Sequence, residues 1–483
     1  MTLKDFLFKN TSPRQIALKN TFWLSASSII GKLIRAVVVI YAARVLGTES
    51  YGIFSYGLSI ASIFYLFADI GLSSLFIRDY ISRPNDRKPY LATIATIKAI
   101  LILLSLGVTA WIAPQVATLP EAKTLLWLFA ILLAFDGLRN FGVSIFRARN
   151  RMDIEARIEI TAEICGALAA AAVLLTVPSV KNLLITYVFS SAFGLALVIF
   201  AVPKRSLQMI FSFTRWNLVW PVLSAALPYA LVGIFAMLMT NIDMLFIGVY
   251  LDANAAGLYA AALRPISLLY LLPGFVSFGI FPLINTFITS GDTQKLRRLI
   301  ETAMTATLAV ALPIAIGGII LAPGLVTTVF GIDYAGSANA FRILLLTLIP
   351  IFPGFILSNT LFAYQKRMAP IIATSIGATI NVALDIFLIP RYAIAGSAIA
   401  TICAQLFMNL YLYREVKKII PIALIRKTHI LWISSILMAA VILALDAMRL
   451  HVFMLIPIGA LAYYISLKLL REPLLNEFRE LRK

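Results

Sequence analysis

The stretch Ser27–Gly47, SSIIGKLIRAVVVIYAARVLG, has the length and apolar character of a membrane-spanning helix, yet it carries two cations near its middle. Lys32 and Arg35 are three residues apart and so share one helical face. A central Lys or Arg costs about 2.5–3.5 kcal/mol on insertion scales, so the pair costs roughly 5–7 kcal/mol unless water or a partner compensates it. We therefore expect this face to line a hydrated cavity rather than lipid.

The composition of the whole chain is that of a membrane protein. Of 483 residues, 61% are hydrophobic and 13% are charged, whereas soluble domains are about 25% charged. Two cysteines in apolar runs and two histidines near the C-terminal end argue against a disulfide framework and against a metal site. The first nineteen residues are polar and basic without a cleavage site, so we expect a retained first span rather than a signal peptide.

With about twenty apolar residues per crossing, the sequence predicts an all-α polytopic membrane protein with about 14 transmembrane helices. The predicted limits are 20–45, 52–79, 90–113, 122–146, 157–177, 182–202, 217–248, 255–285, 299–322, 338–363, 369–389, 395–415, 428–446 and 452–470.

The basic residues provide an independent test of this topology. With the N-terminus in the cytoplasm, 29 of the 41 Lys and Arg residues fall in inner segments, 5 in outer loops and 7 within spans. This is the positive-inside bias, and it predicts a multi-pass plasma or inner-membrane protein with both termini in the cytoplasm. The net charge of +19 then reflects topology, and no nucleic-acid partner is expected.

Two pairs of similar segments indicate an internal repeat. Leu46–Phe54 (LGTESYGIF) matches Leu251–Tyr259 (LDANAAGLY) at an offset of 205, and Phe146–Met152 (FRARNRM) matches Phe362–Met368 (FAYQKRM) at an offset of 216. Internal repeats are common in secondary transporters. The sequence therefore predicts two six-helix lobes, 1–202 and 217–425, joined by a basic cytoplasmic linker at 203–216. Residues 426–483 add two spans and a cytoplasmic tail.

Further cations occur within or at the ends of the predicted spans: Arg78, Lys98, Arg139, Arg264 and Arg342. Arg78 and Arg342 lie near span ends, where long side chains can reach the interface. Arg264 is about ten residues from the outer end of its predicted span. Arg139 follows Asp136 by three residues, so these two can form a simple ion pair within one helix.

Among the intramembrane acids, Asp69 and Glu163 are the ones expected to face the cavity. Either can pair with Lys32 or Arg35, or bind a coupling cation, and the sequence leaves both roles open. Asp385 lies close enough to a predicted span end to be solvated, as do Glu159 and Glu301.

The cations concentrate in the first half of the chain, and such a cavity would attract an anion. Arg binds phosphate oxygens in bidentate fashion, so we expect a lipid with a diphosphate headgroup. Nucleotide-binding, zinc-protease and nucleophile-elbow motifs do not occur in the sequence. A transporter without catalytic residues or an organic cofactor is therefore expected.

Four stretches together resemble a known family: Ile40–Arg83, Asn241–Leu263, Leu361–Met368 and Ile380–Gln405. Over residues 18–420 the chain resembles polysaccharide flippases, the O-antigen (Wzx-type) branch of the multidrug/oligosaccharidyl-lipid/polysaccharide (MOP) exporter superfamily. The resemblance implies a MATE-like, two-lobed transporter that works by alternating access. It would move an undecaprenyl-diphosphate-linked oligosaccharide from the cytoplasmic to the outer leaflet, driven by an ion gradient or the membrane potential.

The resemblance also implies a cationic central cavity. The candidate substrate-binding residues are Lys32, Arg35, Arg78, Arg139 and Arg264. The candidates for coupling or charge pairing are Asp69, Asp136, Glu163 and Asp243. The coupling ion would be H⁺ or Na⁺, and polysaccharide polymerase or export proteins would be further partners.

Two features depart from the family pattern. Asp69 replaces a usually uncharged residue, and the two appended spans resemble those of lipid II flippases. A lipid II flippase and a cation-coupled multidrug exporter of the same superfamily are the alternative functions.

Overall fold

The chain is helical throughout the part that its computed structural model describes, which comprises residues 13–82, 87–204, 208, 214–423, 428–448 and 450–470. Most of the predicted linker 203–216, the first twelve residues and the tail from 471 lie outside the described residues. Fifteen α-helices of eight or more residues have bounds within the described part of the chain. They are α1 (Pro13–Tyr65), α2 (Leu72–Ser82), α3 (Arg87–Trp111), α4 (Pro120–Ala148), α5 (Met152–Thr176), α6 (Val180–Ala201), α7 (Val219–Tyr250), α8 (Ala253–Leu269), α9 (Leu272–Ser290), α10 (Thr293–Phe330), α11 (Ala338–Leu345), α12 (Leu348–Ala363), α13 (Met368–Lys417), α14 (His429–Asp446) and α15 (Val452–Leu469).

The predicted all-α membrane architecture is confirmed, but the predicted count of fourteen spans is not. Among the described residues, ten helices are long and apolar enough to cross a membrane, or eleven if Ile332–Leu345 and Leu348–Ala363, bent by 42°, form one span. Helix α1 is not among the ten, so its crossing rests on the sequence pattern.

Two long helices run from one predicted span into the next: α1 contains the span 20–45 and the first half of 52–79, and α13 contains 369–389 and 395–415. Helix α1 runs through the predicted first outer loop and is kinked at Gly47, whose φ of 78° suits a residue without a Cβ atom. Helix α13 is kinked at Ala393, whose φ of 50° is uncommon for a residue other than glycine. At about 1.5 Å per residue, each half of the 50-residue α13 is roughly 36 Å long, enough to cross a bilayer.

The chain divides into two compact units, Met1–Gly257 and Leu258–Lys483. In unit 1, α1 packs against α4, α5 and α7, while α4, α5 and α6 pack against one another. Because α7 also packs against α2, the first unit extends beyond residue 202. The lobe limits predicted from the sequence are a separate division, based on the repeat, and remain a prediction.

The two segments that are related by the 205-residue offset contact each other within unit 1. A Cβ atom at Gly52 would lie 1.7 Å from the Ala253 carbonyl oxygen, and one at Gly257 would lie 1.9 Å from the Thr48 carbonyl oxygen. Thr48 and Ala253 are 205 residues apart, and so are the two glycines. Repeat-related backbones therefore meet so closely that only glycine fits at both positions.

The second repeat pair aligns at an offset of 215 rather than the predicted 216. The Arg151 amide donates to the Phe146 carbonyl at 2.9 Å, and the Lys366 amide donates to the Leu361 carbonyl at 2.9 Å. The residue before each donor, Asn150 or Gln365, has a φ near +55°. In both turns, a residue in the left-handed conformation therefore ends the preceding helix. The equivalent hydrogen bonds fix the correct register of the repeat.

Ion pairs hold the turn between α4 and α5. Arg147 pairs with the buried Glu155, and Arg151 pairs with the buried Asp153 at 3.0 Å between Nε and Oδ1. The hydrogen bond to Asp153 raises the pKa of Arg151. These arginines contributed to the positive-inside pattern, and they also fix this turn.

In unit 2, α9, α10, α12 and α13 enclose an apolar core that includes Ile284, Leu299, Ile356 and Val416. The last two helices, α14 and α15, pack against each other and against α10. The Tyr463 hydroxyl donates to the Ala309 carbonyl at 3.0 Å and so fixes α15 on α10.

Candidate functional site

The two central cations of α1 have different surroundings. The Lys32 side chain is exposed and forms no ion pair or hydrogen bond with another residue that the structure describes. Arg35 is also accessible, with 53% of its side chain exposed. Lys32 therefore carries an accessible positive charge without an ion-pair partner among the described residues.

Arg35 is held in place by a carboxylate of α5. Its Nη2 atom pairs with Oε1 of Glu163, and its Nε donates to Oε2 at 3.4 Å. The Glu163 side chain is 18% exposed. Of the roles left open for Glu163, pairing with Arg35 is the one the geometry shows. The forked contact orients the guanidinium and leaves its remaining N–H groups available.

A second ion pair lies within α4, and a hydrogen bond from α6 joins it. Arg139 Nη2 lies 2.9 Å from Asp136 Oδ1, which is the intrahelical pair that the sequence allowed. Ser191 of α6 donates to the same oxygen at 2.6 Å. Asp136 and Tyr187 also interact electrostatically with Arg35. Helices α1, α4, α5 and α6 therefore meet around one group of charges.

The sequence left open whether Asp69 pairs with Lys32 or Arg35 or binds a coupling cation. In the structure it pairs with Lys98. Lys98 Nζ of α3 lies 2.9 Å from Asp69 Oδ2, with 1% of the Lys98 side chain and 27% of the Asp69 side chain exposed. Ser73 donates to the same Asp69 oxygen at 2.9 Å. The bend at residues 66–71 turns Asp69 toward α3, where it meets Lys98.

Tyr65, the last residue of α1, connects the two parts of this arrangement. A Cβ atom at Gly137 would lie 2.9 Å from the Tyr65 hydroxyl, so the ring packs directly on α4. The hydroxyl interacts electrostatically with both Asp69 and Asp136. The ion pairs of α3 and α4 therefore belong to one polar region of unit 1.

We call this region the charged cluster. It comprises Lys32, Arg35, Asp69, Lys98, Asp136, Arg139 and Glu163. Three cations each have a carboxylate partner, and Lys32 is the fourth cation, so the cluster carries one net positive charge. Such a group can attract an anion through Lys32 and can share Arg35 between Glu163 and that anion.

The other predicted site residues lie elsewhere. Arg78 is exposed near the end of α2, as expected for a cation at a span end. Asp243 is buried in α7. Arg264 is half-buried in α8, within unit 2, and forms no ion pair with another described residue.

Helix α13 contains buried polar residues that the sequence analysis missed. Asp385, expected to be solvated, is fully buried, and so is Asn381 one turn before it. A Cβ atom at Gly396 would lie 2.3 Å from the Leu388 carbonyl oxygen, so the two sides of the kink at Ala393 approach each other closely. The available signal was the spacing of two polar residues four apart in an apolar helix.

The polar atoms of this group are not all satisfied. Both polar atoms of the Asn381 amide, and the Ser397 hydroxyl, have no hydrogen-bond partner among the residues that the structure describes. Buried polar atoms of this kind are costly unless something binds them. Within the described part of the chain, no three His, Cys, Asp or Glu side chains are grouped as a metal site.

Comparison with known families identifies the family of this chain. The family model described as "Polysaccharide biosynthesis protein" matches residues 17–287, more than half of the chain. The chain belongs to this family. A second family model, MatE, matches residues 228–387. The predicted membership of the MOP superfamily is thereby confirmed.

Relatives and solved structures extend the similarity to nearly the whole chain. The chain is 22% identical to the probable low-salt glycan biosynthesis flippase Agl15 of Haloferax volcanii, over 94% of its own length and 96% of the relative. It is 21% identical to the probable flippase AglR of the same organism, over 81% and 82%. Its fold resembles the lipid II flippase MurJ in an inward closed conformation, with a TM-score of 0.78, 19% identity, and coverage of 93% and 99%.

These similarities establish a multi-pass membrane protein with the MOP fold. They point to a transporter rather than to a catalytic enzyme.

Proposed function

We propose that this protein is a flippase for a lipid-linked oligosaccharide, the repeat unit of a surface polysaccharide such as O-antigen, carried on undecaprenyl diphosphate. It moves this lipid from the inner to the outer leaflet of the plasma or inner membrane, with both termini in the cytoplasm. The two predicted lobes would expose the substrate to each side in turn. The names of the glycan-flippase relatives support the substrate class.

The exposure of the unpaired Lys32 side chain is the observation that supports the proposal most directly. An exposed ammonium without a counter-charge among the described residues lies one turn from the half-exposed Arg35, on a helix that is predicted to cross the bilayer. Such a charge costs free energy in a membrane unless water, a partner or a bound substrate compensates it. A diphosphate headgroup supplies the missing anion, while the glycan and the polyprenyl chain occupy the hydrated cavity and the bilayer.

We propose that transport is coupled to H⁺ or Na⁺. Asp69, Asp136 and Glu163 are paired with cations and serve as charge partners, whereas Asp243 remains a coupling candidate. The unsatisfied amide of Asn381, one turn from Asp385, is a second candidate place for a small desolvated cation. Polysaccharide polymerase or export proteins would take up the product on the outer side.

A lipid II flippase is the second candidate, because the MurJ fold covers 93% of the chain. A multidrug exporter is disfavoured, because a binding region for cationic drugs is expected to be acidic, whereas the charged cluster has a net positive charge.

Reconstituted vesicles can separate these functions. We expect the full chain to translocate fluorescent undecaprenyl-diphosphate oligosaccharide at least about ten times faster than lipid II, and to leave a cationic dye in place, each scored by loss of accessibility to an external quencher. Imposed Na⁺ and pH gradients, applied separately, identify the coupling ion. Faster transport of lipid II, or gradient-driven movement of the dye alone, would contradict the proposed function.

A further inference from the structure

Unit 2 contains a cleft that the proposed transport does not use. Its volume is about 890 Å³, within the roughly 300–1,000 Å³ typical of ligand sites. Helices α10, α12, α13 and α14 line it, together with the segment that follows α13. All of these elements belong to unit 2. We call it the α13 cleft.

One face of α13 forms a continuous wall of the α13 cleft. Leu406, Leu410, Tyr413 and Lys417 line it at spacings of four, three and four residues, which is the repeat of one helical face. From Leu406 to Lys417 the wall extends about 16 Å at 1.5 Å per residue. Pro353 and Leu357 of α12 add to the apolar lining. The cleft is thus long and apolar, with a cation at one end.

The cation at that end is held in position without being neutralised. Lys417 Nζ lies 5.8 Å from the centroid of the Tyr413 ring, in a cation–π contact. The Tyr413 hydroxyl donates to the Ile422 carbonyl at 3.2 Å, so the ring is itself fixed. The next residue, Lys418, pairs with Glu415. Lys417 has no carboxylate partner among the described residues.

We propose that the α13 cleft binds a resident anionic phospholipid. Its phosphodiester contacts Lys417, and one acyl chain runs along α13 toward Leu406. The lipid comes from the leaflet at the C-terminal end of α13, which the positive-inside pattern predicts to be the cytoplasmic leaflet. One uncompensated ammonium matches the single negative charge of a phosphodiester. The site goes beyond the proposed transport, because its lining contains no member of the charged cluster.

Native mass spectrometry of the full chain can test the proposal. The probes are phosphatidylglycerol and phosphatidylcholine of identical acyl composition, supplied in equal amounts. We expect the first bound lipid to be phosphatidylglycerol, and Lys417→Gln to lower that preference about five-fold, since a Lys near an anionic lipid contributes about that factor. Leu410→Trp, which fills the cleft, should reduce the first bound lipid of either kind.

Arg414→Gln is the matched control, because Arg414 is exposed on the same helix and does not line the cleft. It removes the same charge and should change the preference less than two-fold. Equal effects of Lys417→Gln and Arg414→Gln would overturn the proposal in favour of general surface charge. Displacement of the lipid by inorganic phosphate would overturn it in favour of a headgroup site alone. Displacement by equimolar polyprenyl diphosphate would overturn it in favour of the transported lipid.

Discussion

Asp69→Asn is expected to destabilise the protein by about 3–5 kcal/mol, because it leaves the Lys98 ammonium buried beside a neutral amide. Only 1% of the Lys98 side chain is exposed, and Asp69 is its ion-pair partner at 2.9 Å. We expect a marked fall in the thermal unfolding midpoint of the purified protein and in the fraction that elutes as a single species.

Two further variants make this expectation specific. Asp69→Asn combined with Lys98→Met should recover most of the stability, because the double variant removes both charges of a buried pair. Glu415→Gln, which breaks the exposed pair with Lys418, should leave the midpoint unchanged. Full stability of the Asp69→Asn variant would show that water or another group stabilises the Lys98 ammonium. The ion pair would then contribute little to the stability of the fold.

Exchanging the charges of Arg35 and Glu163 is expected to preserve the fold and abolish most transport. The double variant Arg35→Glu/Glu163→Arg retains an ion pair between α1 and α5, so its unfolding midpoint should stay close to that of the unmodified protein. It also places a carboxylate on α1 where the diphosphate is proposed to bind. Like charges in contact cost several kcal/mol, so we expect translocation to fall at least about 100-fold.

This exchange separates two roles for Arg35. If Arg35 served only to hold α1 against α5, the reversed pair would do so equally well and transport would survive. Each single variant, Arg35→Glu or Glu163→Arg, places like charges opposite each other and should lower the midpoint. Retained transport in the double variant together with losses in both single variants would therefore refute a substrate-binding role for Arg35.

The sequence was sufficient to identify most members of the charged cluster but not to pair them. Intramembrane charges are conspicuous in an apolar chain, so Lys32, Arg35, Asp69 and Glu163 could be found by position alone. Arg35 and Glu163 are 128 residues apart, however, and only the packing of α1 on α5 brings them together. The sequence left open whether Asp69 pairs with a cation of α1 or binds a coupling cation, and the bend after Tyr65 turns it toward Lys98 of α3 instead.

The kinks of α1 and α13 show that local sequence predicts the fold only in part. Gly47 follows a long apolar run, and a glycine with positive φ is a familiar break, so the end of the first predicted span lay close to it. Ala393 gives no comparable signal, since alanine seldom adopts positive φ. Asp385 lies before that kink and is fully buried, which the local sequence pattern does not reveal.

The central claim is that the unpaired Lys32 receives the anionic headgroup of the transported lipid. Its most direct test is the dependence of translocation rate on lipid-linked oligosaccharide concentration in vesicles containing Lys32→Gln. The control is Lys123→Gln, which removes an exposed lysine from the first turn of α4. Loss of a hydrogen bond to a charged group costs about 1.5–3 kcal/mol, so kcat/KM should fall about 10- to 100-fold for Lys32→Gln only. Equal kcat/KM values for the two variants would contradict the claim.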